Sequence, residues 1–230
     1  MSVPAFQTII LGSGSPRRKQ LLEGLGWPVE VRKPDVEELF PLHLKRGDIP
    51  MHLAELKAMA FDGMLKEDEL LITADTIVWL EEAVLGKPID ALDAVQMLER
   101  LQGKTHQVYT GVCLTHDGQR HCFQTCTHVT FQTLRRSDIE MYVQHYQPFD
   151  KAGSYGAQEG LPPGFNPLSP YEHEFLVKIG KPHLFEESLA VDPSRQVPII
   201  ATINGSYFNV MGLPIAELWD ELHLFSKSDR

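Results

Sequence analysis

The sequence predicts an α/β fold: one domain over residues 1–230, with an elongated mixed β-sheet flanked by helices and an inserted Pro-rich excursion at about 161–196. Three observations predict it. Strand-like and helix-like patterns alternate through the first half, which sets helices against a sheet. Two long alternating runs then face each other across Asp117-Gly118, a hairpin signal that makes part of the sheet antiparallel. Finally, Pro162, Pro163, Pro167, Pro170, Pro182 and Pro193 break both patterns within one stretch.

Each element has a local reason. Thr8, Ile9 and Ile10 read as a strand, followed by a helix from Lys19 to Leu25 with Leu21, Leu22 and Leu25 on one face. Val29 to Arg32 alternates briefly as a second strand. Pro34 to Gly47 is polar and irregular. Pro50 starts a helix that carries Leu53, Ala54, Leu56, Lys57 and Ala60. Leu70 to Trp79 is an apolar strand, and Glu81-Glu82 turn it into a returning segment that ends at Gly86. Pro88 to Leu101 is a helix with Asp90 or Asp93 as cap and Gly103 as stop. His106 to His116 and Arg120 to Leu134 form the hairpin. Ser137 caps a helix that runs to His145. The excursion is punctuated by its prolines and reads with a short helix near Phe185 to Leu189 and mobile parts. Pro198 to Val210 reads as two short strands broken at Asn204-Gly205, and Pro214 to Phe225 as a closing helix.

Composition narrows the function classes. The chain has 43% hydrophobic and 23% charged residues, ordinary for a soluble globular protein. No apolar run approaches the roughly 20 residues needed to cross a bilayer. The N-terminus does not read as a signal peptide. Three cysteines cannot all pair with one another, which argues for reduced thiols and a cytoplasmic home. A net charge of −10 argues against a nucleic-acid backbone binder, although local cations in a cleft can still hold a small polyanion.

The run Leu11-Gly-Ser-Gly-Ser-Pro-Arg-Arg18 reads as an anion site. Ser15 can cap the helix, and Pro16 loses no useful N–H at the first helical position. Free amides and the positive end of the helix dipole then face the loop, where Arg17 and Arg18 can fork onto phosphate. The plain alternative is an ordinary turn with two solvated arginines. Asp75 lies amid Leu-Leu-Ile-Thr-Ala-Asp-Thr-Ile-Val-Trp, where an acid is costly unless it is ion-paired, metal-bound or at the strand's end. It is either a reactive carboxylate or a strand terminator. Alternation points Asp75 and Thr76 to opposite faces, so a bulge or strand end must intervene if both reach one site. Lys57 and Lys87 read as surface charges when taken singly and as triphosphate cations in combination. Glu38 is a second metal-binding or water-orienting carboxylate, or a solvated one. Gln158 can read the polar edge of a base. The glycine pattern of a dinucleotide fold, the Gly-Lys-Thr phosphate loop, a completed cysteine zinc set and the Gly-x-Ser-x-Gly elbow do not occur.

The motifs together resemble the Maf family of nucleoside triphosphate pyrophosphatases. They stand in order: Ser13 to Arg18, Leu53-Ala54 through Lys57-Ala58, Ala74-Asp75-Thr76, Gly86-Lys87-Pro88 and Gly103-Lys104-Thr105-His106 running to Thr110-Gly111. Asp150 to Gly156, Gly205-Ser206-Tyr207 and Gly212-Leu213-Pro214 complete them. The resemblance implies cleavage between the α and β phosphates, with a divalent cation (Mg²⁺ or Mn²⁺), a cytoplasmic location and a homodimer. It implies Asp75 as proton acceptor and Arg17, Thr76 and Gln158 at the base. The residues themselves set Ser13, Ser15, Arg17, Arg18, Lys57 and Lys87 on the phosphates and Asp75, with Glu38, on the metal; Asp75 cannot be both a tight metal ligand and a free base, and the sequence leaves that choice open. Arg17, Thr76 and Gln158 match the branch acting on dTTP and UTP. The sequence departs from the family in the excursion after Gln158 and in Glu159, which stands where a small residue is usual. Two other readings stay open at this point: a nucleotide-binding regulator of cell division without turnover, and a pyrophosphatase for a modified purine nucleotide such as 7-methyl-GTP.

Overall fold

A computed structural model describes residue 6, residues 8–188 and residues 197–228. The chain begins with β1 (Thr8–Gly12), α1 (Pro16–Gly24), β2 (Val29–Val31), α2 (Asp48–Met59) and β3 (Glu69–Leu80). It continues with β4 (Ala83–Leu85), α3 (Ala91–Leu101), β5 (Thr105–His116), β6 (Gln119–Phe131) and α4 (Arg136–Tyr146). A 3₁₀ turn at Ala152–Ser154 leads to the short α5 (Ala157–Gly160), then α6 (Pro170–Lys178) and α7 (Leu184–Ser188). The described chain closes with β7 (Ile200–Asn204), α8 (Tyr207–Val210) and α9 (Ile215–Ser228).

The expected mixed sheet is present, in the order β2-β1-β3-β5-β6-β7, with β4 also on β3. β1 runs parallel to β2 and β3, and all other pairings are antiparallel. Alternation sorts β3 between two cores. Leu70, Ile72, Ala74, Val78 and Leu80 enter the main core with α1, α3, α4 and α9. Leu71 packs with Ala54, Ala58 and Phe61 under α2, and Ile77 and Trp79 pack with Ile49 and Leu53. Gly111 lets α2 lie close: a Cβ there would stand 2.3 Å from the Met51 amide nitrogen.

Several local expectations hold. Ser15 caps α1, Pro16 opens it, and Asp90 caps α3. Asp117 and Gly118 turn the hairpin with φ of 46° and 74°, as the right-handed twist of its strands requires.

Other expectations are corrected. The cap of α4 is Arg135, and Ser137 lies inside the helix. Among its described residues the excursion holds a second helix besides the expected short one. It carries α6, opened by a Ser169–Glu172 capping box with Pro170 in its first turn, and Phe175, Leu176 and Leu184 enter the main core. The short helix there ends at Ser188, and Leu189 lies outside the described residues. Asn204-Gly205 does not separate two strands. Gly205, at φ 124°, swings the chain out of β7 and into α8, which Ser206 caps.

Candidate active site

The site follows from a gap beside β3. β5 pairs with one edge of β3 from Leu71 to Trp79. On the other edge, β1 stops opposite Thr73, and β4 covers only Val78 to Leu80. Residues 74–77 therefore have an open edge, beyond the C-terminal end of a parallel strand, where α/β sheets place their ligands. A cavity of about 620 Å³ occupies this place.

Asp75 and Thr76 both line the cavity. The expectation that a bulge or strand end must bring them together is corrected: the β3–β5 register is unbroken, with Asp75 opposite Gly111 and Thr76 opposite Thr110. Asp75 faces α2, Thr76 faces the main core, and the missing neighbour strand lets one hollow reach both sides. All ten candidate residues border this hollow: Ser13, Ser15, Arg17, Arg18, Glu38, Lys57, Asp75, Thr76, Lys87 and Gln158.

Their interactions separate struts from exposed groups. Buried Arg18 donates from Nε to the Gly212 carbonyl (2.8 Å) and from Nη1 to Ser13 Oγ (3.0 Å) and the Ala74 carbonyl (2.8 Å). Nη2 reaches Thr76 Oγ1 (3.0 Å). Burial lowers the Arg18 pKa and the charge of Asp75 pulls it back up. An arginine nonetheless stays protonated, so this is a fixed cation behind the loop. Ser13 Oγ also accepts the Ser15 amide (3.3 Å), which ties the loop to Arg18. Arg17 lies nearer solvent and pairs with Asp150 (3.1 Å).

On the α2 side, Lys57 Nζ donates to Asp75 Oδ1 (2.5 Å) and pairs with Glu38 (2.8 Å). The Lys57 side chain is 7% exposed, that of Asp75 12% and that of Glu38 49%. Burial opposes ionisation of Glu38, but the hydrogen bond to Lys57 and the fields of Lys57, Lys87 and Arg18 outweigh it and lower its pKa. Two carboxylates thus converge on one ammonium, and both can turn to a shared cation. Among the described residues no three His, Cys, Asp or Glu side chains gather as a metal set. One or two carboxylates are what Mg²⁺ takes from a protein when substrate phosphate and water complete its shell, so the donors present fit such an ion.

A family model described as Maf-like protein matches residues 8–162. The chain belongs to the Maf family. A dTTP/UTP pyrophosphatase of Bacteroides fragilis is 46% identical to this Maf chain over 215 residues, 93% of this chain and 94% of that protein. One from Phocaeicola vulgatus is equally similar, with the same coverage. A dTTP/UTP pyrophosphatase of Porphyromonas gingivalis is 39% identical over 224 residues, 96% of each chain. The family model ends where the Pro-rich stretch begins, whereas these Maf relatives span it.

Sequence reasoning missed Lys33 at this Maf site and gave Asp150 and Lys151 no fixed place. Lys33 lines the cavity, and its side chain lies across Gly14, where a Cβ would meet its Cε at 3.2 Å. It follows β2, whose C-terminal end points the same way as that of β1 because the two are parallel. Only knowledge of that pairing would have exposed it. Lys151 pairs with Asp150 (2.8 Å) and approaches Glu159 (3.8 Å). Burial raises the Asp150 pKa, but Lys151 and Arg17 bring the net below the ordinary value.

Proposed function

We propose that this chain is a nucleoside triphosphate pyrophosphatase that cleaves dTTP and UTP to the monophosphate and pyrophosphate. The observation that carries the reading is the single hollow, which six cations border: Arg17, Arg18, Lys33, Lys57, Lys87 and Lys151. Helix-terminal amides join them, and the Asp75–Lys57–Glu38 cluster forms one wall. The names of the relatives supply the nucleotides.

In this reading the Ser13–Arg18 loop, Lys57 and Lys87 hold the phosphates, and Arg18 keeps the loop and Thr76 in register. Asp75 takes a proton from the attacking water at Oδ2, because Lys57 occupies Oδ1. Attack at the α-phosphorus breaks the bond to the β-phosphate oxygen, and the lysines and arginines meet the charge that builds on the pyrophosphate. With Asp75 acting as the base, Glu38 is the carboxylate that would hold a divalent cation, which would supply charge neutralisation and a more acidic water. Thr76 and Gln158 approach the base. The reading includes a cytoplasmic home and a homodimer. Among the described residues no helix is long and apolar enough to cross a membrane.

The test is pyrophosphate release from a panel of nucleoside triphosphates with Mg²⁺ or Mn²⁺. Turnover should be highest with dTTP and UTP, and Asp75→Asn should lose at least a thousandfold while keeping its circular dichroism. No release from any nucleotide would overturn the proposal in favour of a non-catalytic regulator. A signal confined to purines would overturn the substrate assignment.

A further inference from the structure

Glu172 is a fully buried carboxylate outside the cavity, on α6 of the Pro-rich stretch. Its Oε2 accepts from the Ser169 amide and hydroxyl, both at 2.9 Å, which accounts for the cap of its own helix. Its Oε1 does something else. It accepts from Ser206 Oγ (2.8 Å) and from the Phe208 amide (3.0 Å), at the start of α8, more than thirty residues away. A helix cap alone needs no such reach. The second oxygen anchors a different segment.

From α8 a chain of hydrogen bonds runs to the cavity. Ser206 Oγ accepts the Asn209 amide (3.0 Å). The Asn209 carbonyl accepts from Thr110 Oγ1 (3.2 Å), which lies 2.9 Å from Thr76 Oγ1. Just beyond α8, the Gly212 carbonyl accepts Arg18 Nε. Gly212 holds φ 106°, a conformation that favours glycine. The wall that holds Thr76 and Arg18 is therefore hydrogen-bonded to α6 through the Glu172 carboxylate.

We propose that Glu172 is a positioning residue for nucleobase selection, acting through α8 on Thr76 and Arg18, and that the Pro-rich stretch serves the cleft as this buttress. The inference rests on the proposed nucleotide hydrolysis at the same cavity. Losing Oε1 leaves the Ser206–Gly212 segment with its bonds to Val108, Thr110, Thr127 and Arg18, which loosens its start and with it the position of Thr76. Lys57, paired with Asp75 and Glu38 on the α2 side of β3, makes no bond to this segment, so its part in phosphate binding is disturbed least. Selectivity suffers before chemistry does.

The experiment compares full-length wild type, Glu172→Ala, Glu172→Gln and Phe175→Ala. Phe175 is a buried α6 residue against Trp219, so its loss destabilises the same helix without cutting the chain of bonds. Steady-state constants are measured for dTTP, UTP and GTP, alongside urea unfolding. Glu172→Ala should reduce the dTTP-to-GTP ratio of kcat/KM about tenfold, mainly through a raised KM for dTTP. Glu172→Gln keeps an acceptor for Ser206 and should hold the ratio within threefold, as should Phe175→Ala despite its lower stability. If Glu172→Ala does not fold, Ser206→Ala replaces it and should reduce the same ratio about threefold. An unchanged ratio in the folded variant, or an equal change in Phe175→Ala, overturns the proposal. Wild type silent with every nucleotide would instead overturn the assigned activity.

Discussion

The Lys57–Asp75 pair offers the sharpest physical test. Both side chains are close to fully buried, and Glu38, half exposed, pairs with the lysine. Lys57→Met removes the ammonium and strands Asp75 against the α2 core. Removing one partner of a buried pair typically costs about 3–5 kcal/mol, because the remaining charge is neither solvated nor paired. Arg18 lies close enough to act electrostatically on Asp75, so the expected loss is at the low end, about 3 kcal/mol. Asp75→Asn is gentler: Lys57 keeps Glu38, and the amide oxygen still accepts, so about 1 kcal/mol is expected. The double variant carries no stranded charge and places a thioether beside an amide. It should therefore be more stable than Lys57→Met, within about 1–2 kcal/mol of wild type. Urea unfolding with a common slope gives the four free energies. All three variants lose turnover, so stability is the discriminating signal. A loss below about 1 kcal/mol for Lys57→Met, or a double variant at the sum of the singles, refutes the claim that this pair is desolvated and coupled.

Gly111→Ala should cost about 1–3 kcal/mol by overpacking, since the new Cβ meets the α2 backbone at Pro50 and Met51. Because it lifts the helix that carries Lys57, kcat should fall more than tenfold even where the protein is fully folded, as urea titration and pyrophosphate release together will show. Asp150→Asn removes the carboxylate that competes for Arg17 and Lys151. Asp150 itself is exposed and Lys151 keeps Glu159 nearby, so stability should change by less than about 1 kcal/mol, while inhibition by pyrophosphate tightens severalfold. Burial raises Glu217 to about 7; its own backbone N–H opposes this, and the charges of Glu172 and Asp220 reinforce it. A folded pKa above the unfolded value means the native state holds the extra proton, so this group's effect on stability worsens as pH rises from 4.5 to 7. Glu217→Gln should stabilise by about 3 kcal/mol at pH 8 and by almost nothing near pH 4, measured by urea unfolding at both.

What could be read from the sequence was what is encoded locally. Ser15-Pro16 and Asp117-Gly118 each specify a backbone geometry within two to four residues, and both form as expected. The Ser169-x-x-Glu172 box was equally local, followed by Phe175 and Leu176 at helical spacing, but the surrounding prolines masked it. Pro170 in fact sits where a helix tolerates proline best. Tyr207-Phe208-Asn209-Val210 has strand-forming side chains, yet Ser206 capping and burial override that preference. The candidate residues were found because their chemistry is unusual for their surroundings. Their common cavity was not legible, because it depends on where β1 ends relative to β3. Register of that kind arises from pairing between segments some sixty residues apart.

An acidic chain can present an anion site because the sheet sorts charge locally. The loops after β1 and β2 leave the same end of the sheet, since the strands are parallel, and they bring Arg17, Arg18 and Lys33 there. The gap in the β3 edge admits Lys57 from one face and Arg18 from the other. Of these cations, Arg18 is fully committed to the framework, to a carbonyl of β3 and one beyond α8, so its charge cannot move toward a ligand. Arg17, Lys57 and Lys151 are held by carboxylates, and an incoming phosphate must compete for them. Such competition keeps buried cations compensated in the free protein and makes anion binding an exchange of partners, which costs far less than assembling bare charge. On the proposed mechanism the same exchange explains why Asp75 sits against Lys57: the base must first be stable as an anion inside the fold, and its ammonium neighbour provides that stability.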